Sequence, residues 1–359
     1  MAVERAFCYI HWRSSVTVTT DWIFLTVIGK LQDNIDKQSI CNANVFEGVA
    51  NGIDSWILKH VDNFVDLIVI NSVAQYFPSI DYLDSVIKKC IRKIDEGSIF
   101  LGDVRDLRLL DAFHLSLQCF KSGEALKTRN WQEIIDTANF NAKRENELLI
   151  SPSFFLALSE KYPQIVRVEI LAKKSLSNNE MNRFRYDAIL HINSNGLNNN
   201  KSDEKMVWID WLHDKQFNLD DYLRKNVTPI CIQGYPNFGA CNEKNILKSW
   251  ADSKIITEEL VESLSKKQTS PLYKLYELAS RNQYELVVYF NLNKYYAEAS
   301  YDLVFVRKKD DLDLRVYSTI SVLEEQINDT NIPQHARTRL FEFIRDLEGI
   351  VQTWQNKAK

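Results

Sequence analysis

The chain has 359 residues, 45% of them apolar, 26% charged and 11% aromatic, which is the composition of a globular protein with room for one large domain or two ordinary ones. A net charge of −4 carries no basic surplus of the kind that advertises nucleic acid, and no apolar run reaches the ~18 residues of a membrane helix. The opening MAVERAFCYIHWRSS lacks the apolar stretch of a signal peptide, and Cys8, Cys41, Cys90, Cys119, Cys231 and Cys241 have neither C-x-x-C nor zinc-site spacing, so the expectation is a cytoplasmic protein with reduced thiols.

In chain order, SVTVTTD (15–21) reads as a strand, 22–38 as a helix and NANVFEGVAN (42–51) as a strand with its following loop. NFVDLIVI (63–70) is β-branched and bounded by polar residues, which predicts a strand buried on both faces. Ile80, Leu83, Val86, Ile87, Cys90, Ile91 and Ile94 recur in steps of three and four, predicting an amphipathic helix that Gly97 ends. SIFLGD then reads as the next strand, so these elements form a right-handed βαβ crossover. Residues 111–149 read as mostly helical. IVRVEILAK (165–173) and RYDAILHI (185–192) read as strands.

NSNGLNNNKSDEK (193–205) is turn-forming and marks the boundary between a first region, 1–195, and a second α/β segment, 206–308. The second segment holds the predicted strands TPICIQG, YELVVYFN and YDLVFVRK, and a charged helical tail covers 311–359. In a parallel α/β sheet ligands bind at the carboxyl ends of the strands, where Asp21, Asn71 and Asp103 fall. An acid closing the second strand suits the vicinal hydroxyls of a ribose, and an exposed turn residue is the plain alternative for Asp21. His114 on its helix reads as a boundary residue, and His11, His60, His191, His213 and His335 show no metal spacing, so no metal is expected.

INSVAQYFPSIDYL (70–83), GDVR (102–105) and LLDAFH (109–114) together resemble the methyltransferase domains embedded in nonribosomal peptide synthetases. ENELLISPSFF (145–155), NEMNRFRYDAIL (179–190), YPNFG (235–239) and SYDLVF (300–305) are similar to further segments of that family, in the same order, so the likeness spans about residues 19–308. The resemblance implies a class I, Rossmann-like methyltransferase sheet with a second, smaller α/β segment. It implies S-adenosylmethionine as cofactor, and as substrate the amine of an aminoacyl or peptidyl group tethered to a carrier protein. The partners implied are a peptidyl carrier protein and an adenylation domain, to which QHARTRLFEFIRDL (334–347) is faintly similar, with no nucleic acid and no membrane.

Methyl transfer from a sulfonium needs little acid–base help, because a neutral thioether leaves and an amine titrating near pH ~8 is partly neutral at physiological pH. Positioning then carries the catalysis. The resemblance places Asn71, Gln75 and Tyr76 at the chemistry: the Asn71 amide oxygen accepts from the amine, and Tyr76 turns its π face to the sulfonium. It places Asp21, Ala50, Asn51, Asn71 and Ser72 on the cofactor side, and Asp103, Arg105, Glu180, Arg185 and Tyr186 on the substrate side. For Asp103 and Arg105 an ion pair at a strand end is the alternative; for Tyr186, a place in the core.

One departure is large. The family carries a Gly-x-Gly loop after its first strand, which lets backbone approach the cofactor; this chain has no Gly-x-Gly, and its first glycine is Gly29. AFCYIHWRSSV is too short for a strand, a glycine loop and a helix, so the expected sheet lacks its first, central strand and has open edges there. A non-catalytic remnant serving as an interaction module is the competing reading.

Overall fold

A computed structural model of the protein describes residues 7–12, 15–20, 43–47, 50–53, 64–128, 130–173, 179–194, 207–214, 217–225, 229–265, 271–291 and 300–307. In chain order the strands and helices begin with β1 (Phe7–Trp12), β2 (Ser15–Thr20), β3 (Ala43–Glu47), β4 (Leu67–Asn71), α1 (Ile80–Ile91) and β5 (Glu96–Arg105). There follow α2 (Leu110–Ser122), α3 (Trp131–Ala142), α4 (Pro152–Lys161), β6 (Ile165–Ala172), α5 (Glu180–Arg183) and β7 (Arg185–Asn193). The remainder are β8 (Val207–Asp210), α6 (Leu219–Lys225), β9 (Ile230–Pro236), α7 (Phe238–Ser253), α8 (Glu258–Ser265), α9 (Pro271–Arg281), β10 (Tyr284–Phe290) and β11 (Ser300–Arg307). The chain divides into two compact units: residues 1–105, 147–170 and 187–198 make the first, and residues 106–146, 171–186 and 199–359 the second.

In the first unit the strand order is β3-β2-β1-β4-β5-β7-β6. β2 pairs β3 and β4 pairs β5 in parallel, while β1 lies between β2 and β4 and is antiparallel to both. The expectation of a missing central strand is therefore corrected. Residues 7–12 fill that position, but only residues 13–14 separate β1 from β2, and a two-residue connection reverses the chain. β2, β3, β4 and β5 consequently all point one way, with β1 running against them.

α1 forms where the apolar steps predict it. The Ser79 hydroxyl accepts from the Tyr82 N–H to cap it, Asp81 sits in the first turn and Lys88 and Lys89 in the last. Its inner face, Leu83, Val86, Ile87 and Cys90, is fully buried, as are Ile68 of β4 and Ile99 and Leu101 of β5. Gly97 does not end this helix. α1 stops at Ile91, and Gly97 lies inside β5, where a Cβ would come within 2.1 Å of the Asp66 carbonyl oxygen; glycine permits that backbone approach.

In the second unit the strand order is β10-β11-β9-β8, with β10 and β9 antiparallel to β11 and β8 parallel to β9. β9, β10 and β11 match the three predicted strands to within two residues at either end; β8 was not foreseen. Leu115 of α2 and Ile134, Ile135 and Ala138 of α3 pack with Ile246 of α7 and Val261 of α8. Cys90, Cys119 and Cys231 are buried thiols outside any disulfide, and burial pushes the Cys119 thiol up to about 12, with Glu243 adding to the rise. Among the described residues no helix is long and apolar enough to cross a membrane. The predicted helix over 22–38, the tail over 311–359 and Asp21 lie outside the described residues.

Candidate functional site

Because β2 to β5 share a direction, their carboxyl ends share one side of the first unit's sheet. β4 ends there on Asn71, and the next residue, Ser72, turns the chain with φ of 58°. Across from it on β5, Asp103 has φ of 61°. Side-chain-bearing residues seldom enter this left-handed region, and four described residues do so; these two are joined by a hydrogen bond from Ser72 Oγ to Asp103 Oδ2. The Ser72 N–H also donates to the Gly102 carbonyl at 3.0 Å, and the Asp103 N–H donates to Asp187 Oδ1 of β7 at 2.9 Å.

Two side-chain amides hang from Ser72. Asn71 Nδ2 donates to Ser72 Oγ at 3.3 Å, and Gln75 Nε2 donates to the Ser72 carbonyl at 3.1 Å. Asn71 Oδ1 rests against Gly102, where a Cβ would come within 1.9 Å of it. Gln75 is 5% exposed, and its Oε1 is buried with no hydrogen-bond partner among the described residues. Tyr76, half-buried in the short turn Ala74–Tyr76, has no partner for its hydroxyl among the described residues. Phe77 is core and meets Tyr82 edge-on at 5.0 Å, so the aromatic-Pro turn carries both an anchor and a polar face.

The segment 147–150 is stitched along this side. The Leu148 N–H donates to the Gln75 carbonyl at 2.7 Å, the Ile150 N–H to the Arg105 carbonyl at 3.0 Å, and Arg105 Nη1 pairs with Glu147 Oε2 at 2.8 Å. Arg105 thus meets an acid of the ENELL segment. The turn Ala50–Gly52 after β3 is held by α1: the Asn51 N–H donates to the Tyr82 hydroxyl at 3.1 Å and Ser85 Oγ to Asn51 Oδ1 at 3.0 Å, while Lys89 reaches the Asn51 carbonyl. The Asn51 side-chain oxygen is therefore committed to α1.

The structure thus brings Asn71, Ser72, Gln75 and Asp103 into one hydrogen-bonded group, with Arg105 on the same strand. Asp187 and Glu147 join them; the acids in RYD and ENELL were their sequence signal. Glu180, Arg185 and Tyr186 belong to the second unit. There Arg185 Nη2 lies 3.3 Å from Glu180 Oε1. Tyr186 is fully buried with its ring edge-on to Phe290 at 5.8 Å, and burial first, then Asp106, pushes its hydroxyl well above the ordinary tyrosine value. It packs as a core residue. His114 is buried, with Nε2 at 3.3 Å from Glu145.

At the opposite end of β5 lies a second polar group that sequence reasoning missed. Ser98 Oγ is 3.1 Å from His191 Nδ1, and His191 Nε2 is 2.6 Å from Glu169 Oε1 and 2.8 Å from Arg167 Nη2. Arg167 and Glu169 are also ion-paired, and all four residues are buried. The two β6 charges stand two residues apart and so share a face, a spacing that could have signalled the pair.

A family model described as an uncharacterised protein family (UPF0147) matches residues 291–350. The chain is 44% identical over 147 residues to chondramide synthase cmdD of Chondromyces crocatus, covering 41% of this chain and 4% of that protein. It is 35% identical over 196 residues to cyclosporin synthetase simA of Tolypocladium inflatum, covering 52% and 1%. It is 28% identical over 315 residues to peramine synthetase A of Epichloe festucae, covering 85% and 10%. The chain spans a tenth or less of the length of these relatives. It is similar to a region of nonribosomal peptide synthetases, several of the relatives carrying that description outright.

Proposed function

We propose that this chain methylates the amine of an aminoacyl or peptidyl group held on a carrier protein during nonribosomal peptide synthesis, with S-adenosylmethionine as donor. The observation that carries the reading is the strand-end group itself. The buried Gln75 Oε1, unpartnered among the described residues, calls for an N–H donor, and Asn71 Oδ1, likewise unpartnered there, is a second acceptor, both amides being tied to Ser72. Both a substrate amine and the amino-acid end of the cofactor bring such donors, so the residues present fit the group. Asp21, Ala50, Asn71 and Ser72 would hold it, while the Asn51 N–H, side-chain oxygen and carbonyl are taken up by α1. When bound it supplies an electrophilic methyl on a sulfonium.

The chain's own residues then have one task, which is orientation. Asn71 Oδ1 accepts an amine hydrogen and aims the nitrogen lone pair. Gln75 holds a second hydrogen, and Tyr76 presents its ring to positive charge. Arg105, fixed by Glu147, and Asp103 line the substrate side of the same strand. A carrier protein and an adenylation domain are the partners this reading requires.

The reversed β1 favours a second reading, a module that no longer takes the cofactor. Trp12, where β1 ends, lies at the end of the sheet away from Asn71, and two residues leave no room for a loop and helix before β2. Titration calorimetry of the whole chain with S-adenosylmethionine, beside Asp21→Ala, separates the two. Binding that Asp21→Ala abolishes is the expected result. A folded chain that takes up no cofactor overturns the enzyme reading.

A further inference from the structure

We propose that Ser72 and Asp103 are positioning residues that decide which end of the Asn71 carboxamide is left for the substrate. An ionised carboxylate only accepts, so the contact to Asp103 Oδ2 takes the single hydroxyl proton of Ser72. Ser72 Oγ then faces Asn71 with lone pairs alone, and the end of Asn71 that meets it at 3.3 Å must be the NH2 group. The carboxamide is turned with Oδ1 outward from that bond, against the Cα of Gly102, where no side chain displaces it. Gln75 is polarised by the same residue through a different atom. The Ser72 carbonyl can only accept, so Nε2 faces it and Oε1 is released.

The backbone supplies an independent argument. Ser72 and Asp103 both hold φ near +60°, a conformation that glycine adopts without cost and that L side chains resist. Two facing residues keep side chains where glycine would be easier, and those side chains bond to each other. Asp103 is held in place from behind, its N–H fixed by Asp187 Oδ1 at 2.9 Å. The role in catalysis rests on the methyl-transfer reading: with Asn71 reversed, an NH2 group would oppose the incoming amine hydrogens.

Ser72→Gly and Asp103→Asn suit the left-handed backbone and are expected to fold. Glycine removes the hydroxyl. Asparagine offers Ser72 a donor and frees its proton to point at Asn71. The test uses the full chain with side-chain amides labelled with nitrogen-15, and Asn71→Asp and Gln75→Glu to assign the two NH2 signals. In both variants exchange of the Asn71 NH2 with water is expected to quicken about tenfold, the worth of one hydrogen bond. The Gln75 NH2, held by the main chain, keeps its rate; a general loosening would move both. Methyl-transfer assays add the second readout, a fall in kcat of about tenfold with KM for the carrier-bound amine unchanged. Unchanged Asn71 exchange in both variants, or equal acceleration of Asn71 and Gln75, overturns the relay. Selective Asn71 acceleration in a chain that binds no cofactor upholds the relay and refutes the methyl-transfer reading instead.

Discussion

Two glycines on β5 meet different neighbours, and their alanine variants should fail differently. At Gly97 a Cβ would meet the Asp66 carbonyl oxygen at 2.1 Å, which is backbone and cannot step aside. Gly97→Ala is expected to cost about 1–3 kcal/mol in chemical denaturation. At Gly102 the Cβ would meet Asn71 Oδ1 at 1.9 Å, the end of a movable side chain. Gly102→Ala also presses on the Phe100 ring edge at 2.6 Å, likewise a side-chain end, so it should keep most of the stability and displace the carboxamide; on the proposed reading, a loss of methyl transfer with little change in the unfolding midpoint is the expected pattern. Asn71 and Gln75 were legible in the sequence because they stand in a motif at a strand end. The part played by Ser72 was not, since its φ and its bond to Asp103 depend on β4 and β5 lying side by side. Tyr186 sits in the same RYD stretch as Asp187, but alternation along β7 turns neighbours to opposite faces, and Tyr186 points into the core.

Among elements, α1 was the easiest to read, its apolar steps mapping onto its buried face. Leu83→Ala removes a fully buried side chain from that face and should cost about 2–5 kcal/mol. β6 hides a harder feature. Glu169 is the carboxylate beside both Arg167 and His191, all three buried, so Glu169→Gln leaves positive charge uncompensated in the interior and should cost about 3–5 kcal/mol. Apolar pattern marked β6 as a strand but could not show that its two charges meet a histidine from β7. β1 was missed for another reason. Six residues are enough for a strand, but its direction follows from the two-residue connection to β2, and direction is invisible in apolar pattern.

Across the molecule, the second unit concentrates buried groups that resist losing a proton. Burial raises the ionisation of Tyr186, Tyr301 and Cys231 well above ordinary values and that of Tyr276 to about 12. Each is ionised more readily in the unfolded chain than in the folded one, so above the ordinary values the unfolded chain binds fewer protons and stability falls as pH rises. The stabilisation is present below about pH 9, where ordinary thiols and phenols remain largely protonated, and is lost on going up through the raised values. Urea midpoints should be level to about pH 9 and then decline, with tyrosinate absorbance appearing together with unfolding rather than before it. The two compact units interleave along the chain rather than parting once at the expected break near 193–205, so only the α/β alternation of strands and helices was legible. Assignment of 106–146 to the second unit was not, because it depends on α2 and α3 packing with α7 and α8, more than a hundred residues away in the chain.

The reversal of β1 has a practical side. Its first residue, Phe7, pairs with Asn71, so the strand starts at the very end of the sheet where the amides gather. Anything fused ahead of β1 would therefore lead into the sheet at that end. An amino-terminal affinity tag would enter the sheet beside the Asn71 end that the proposed reading assigns to ligands. Preparations meant for ligand titration should carry the tag on the other terminus, or a cleavable one, and a tagged chain that fails to bind should be titrated again after cleavage.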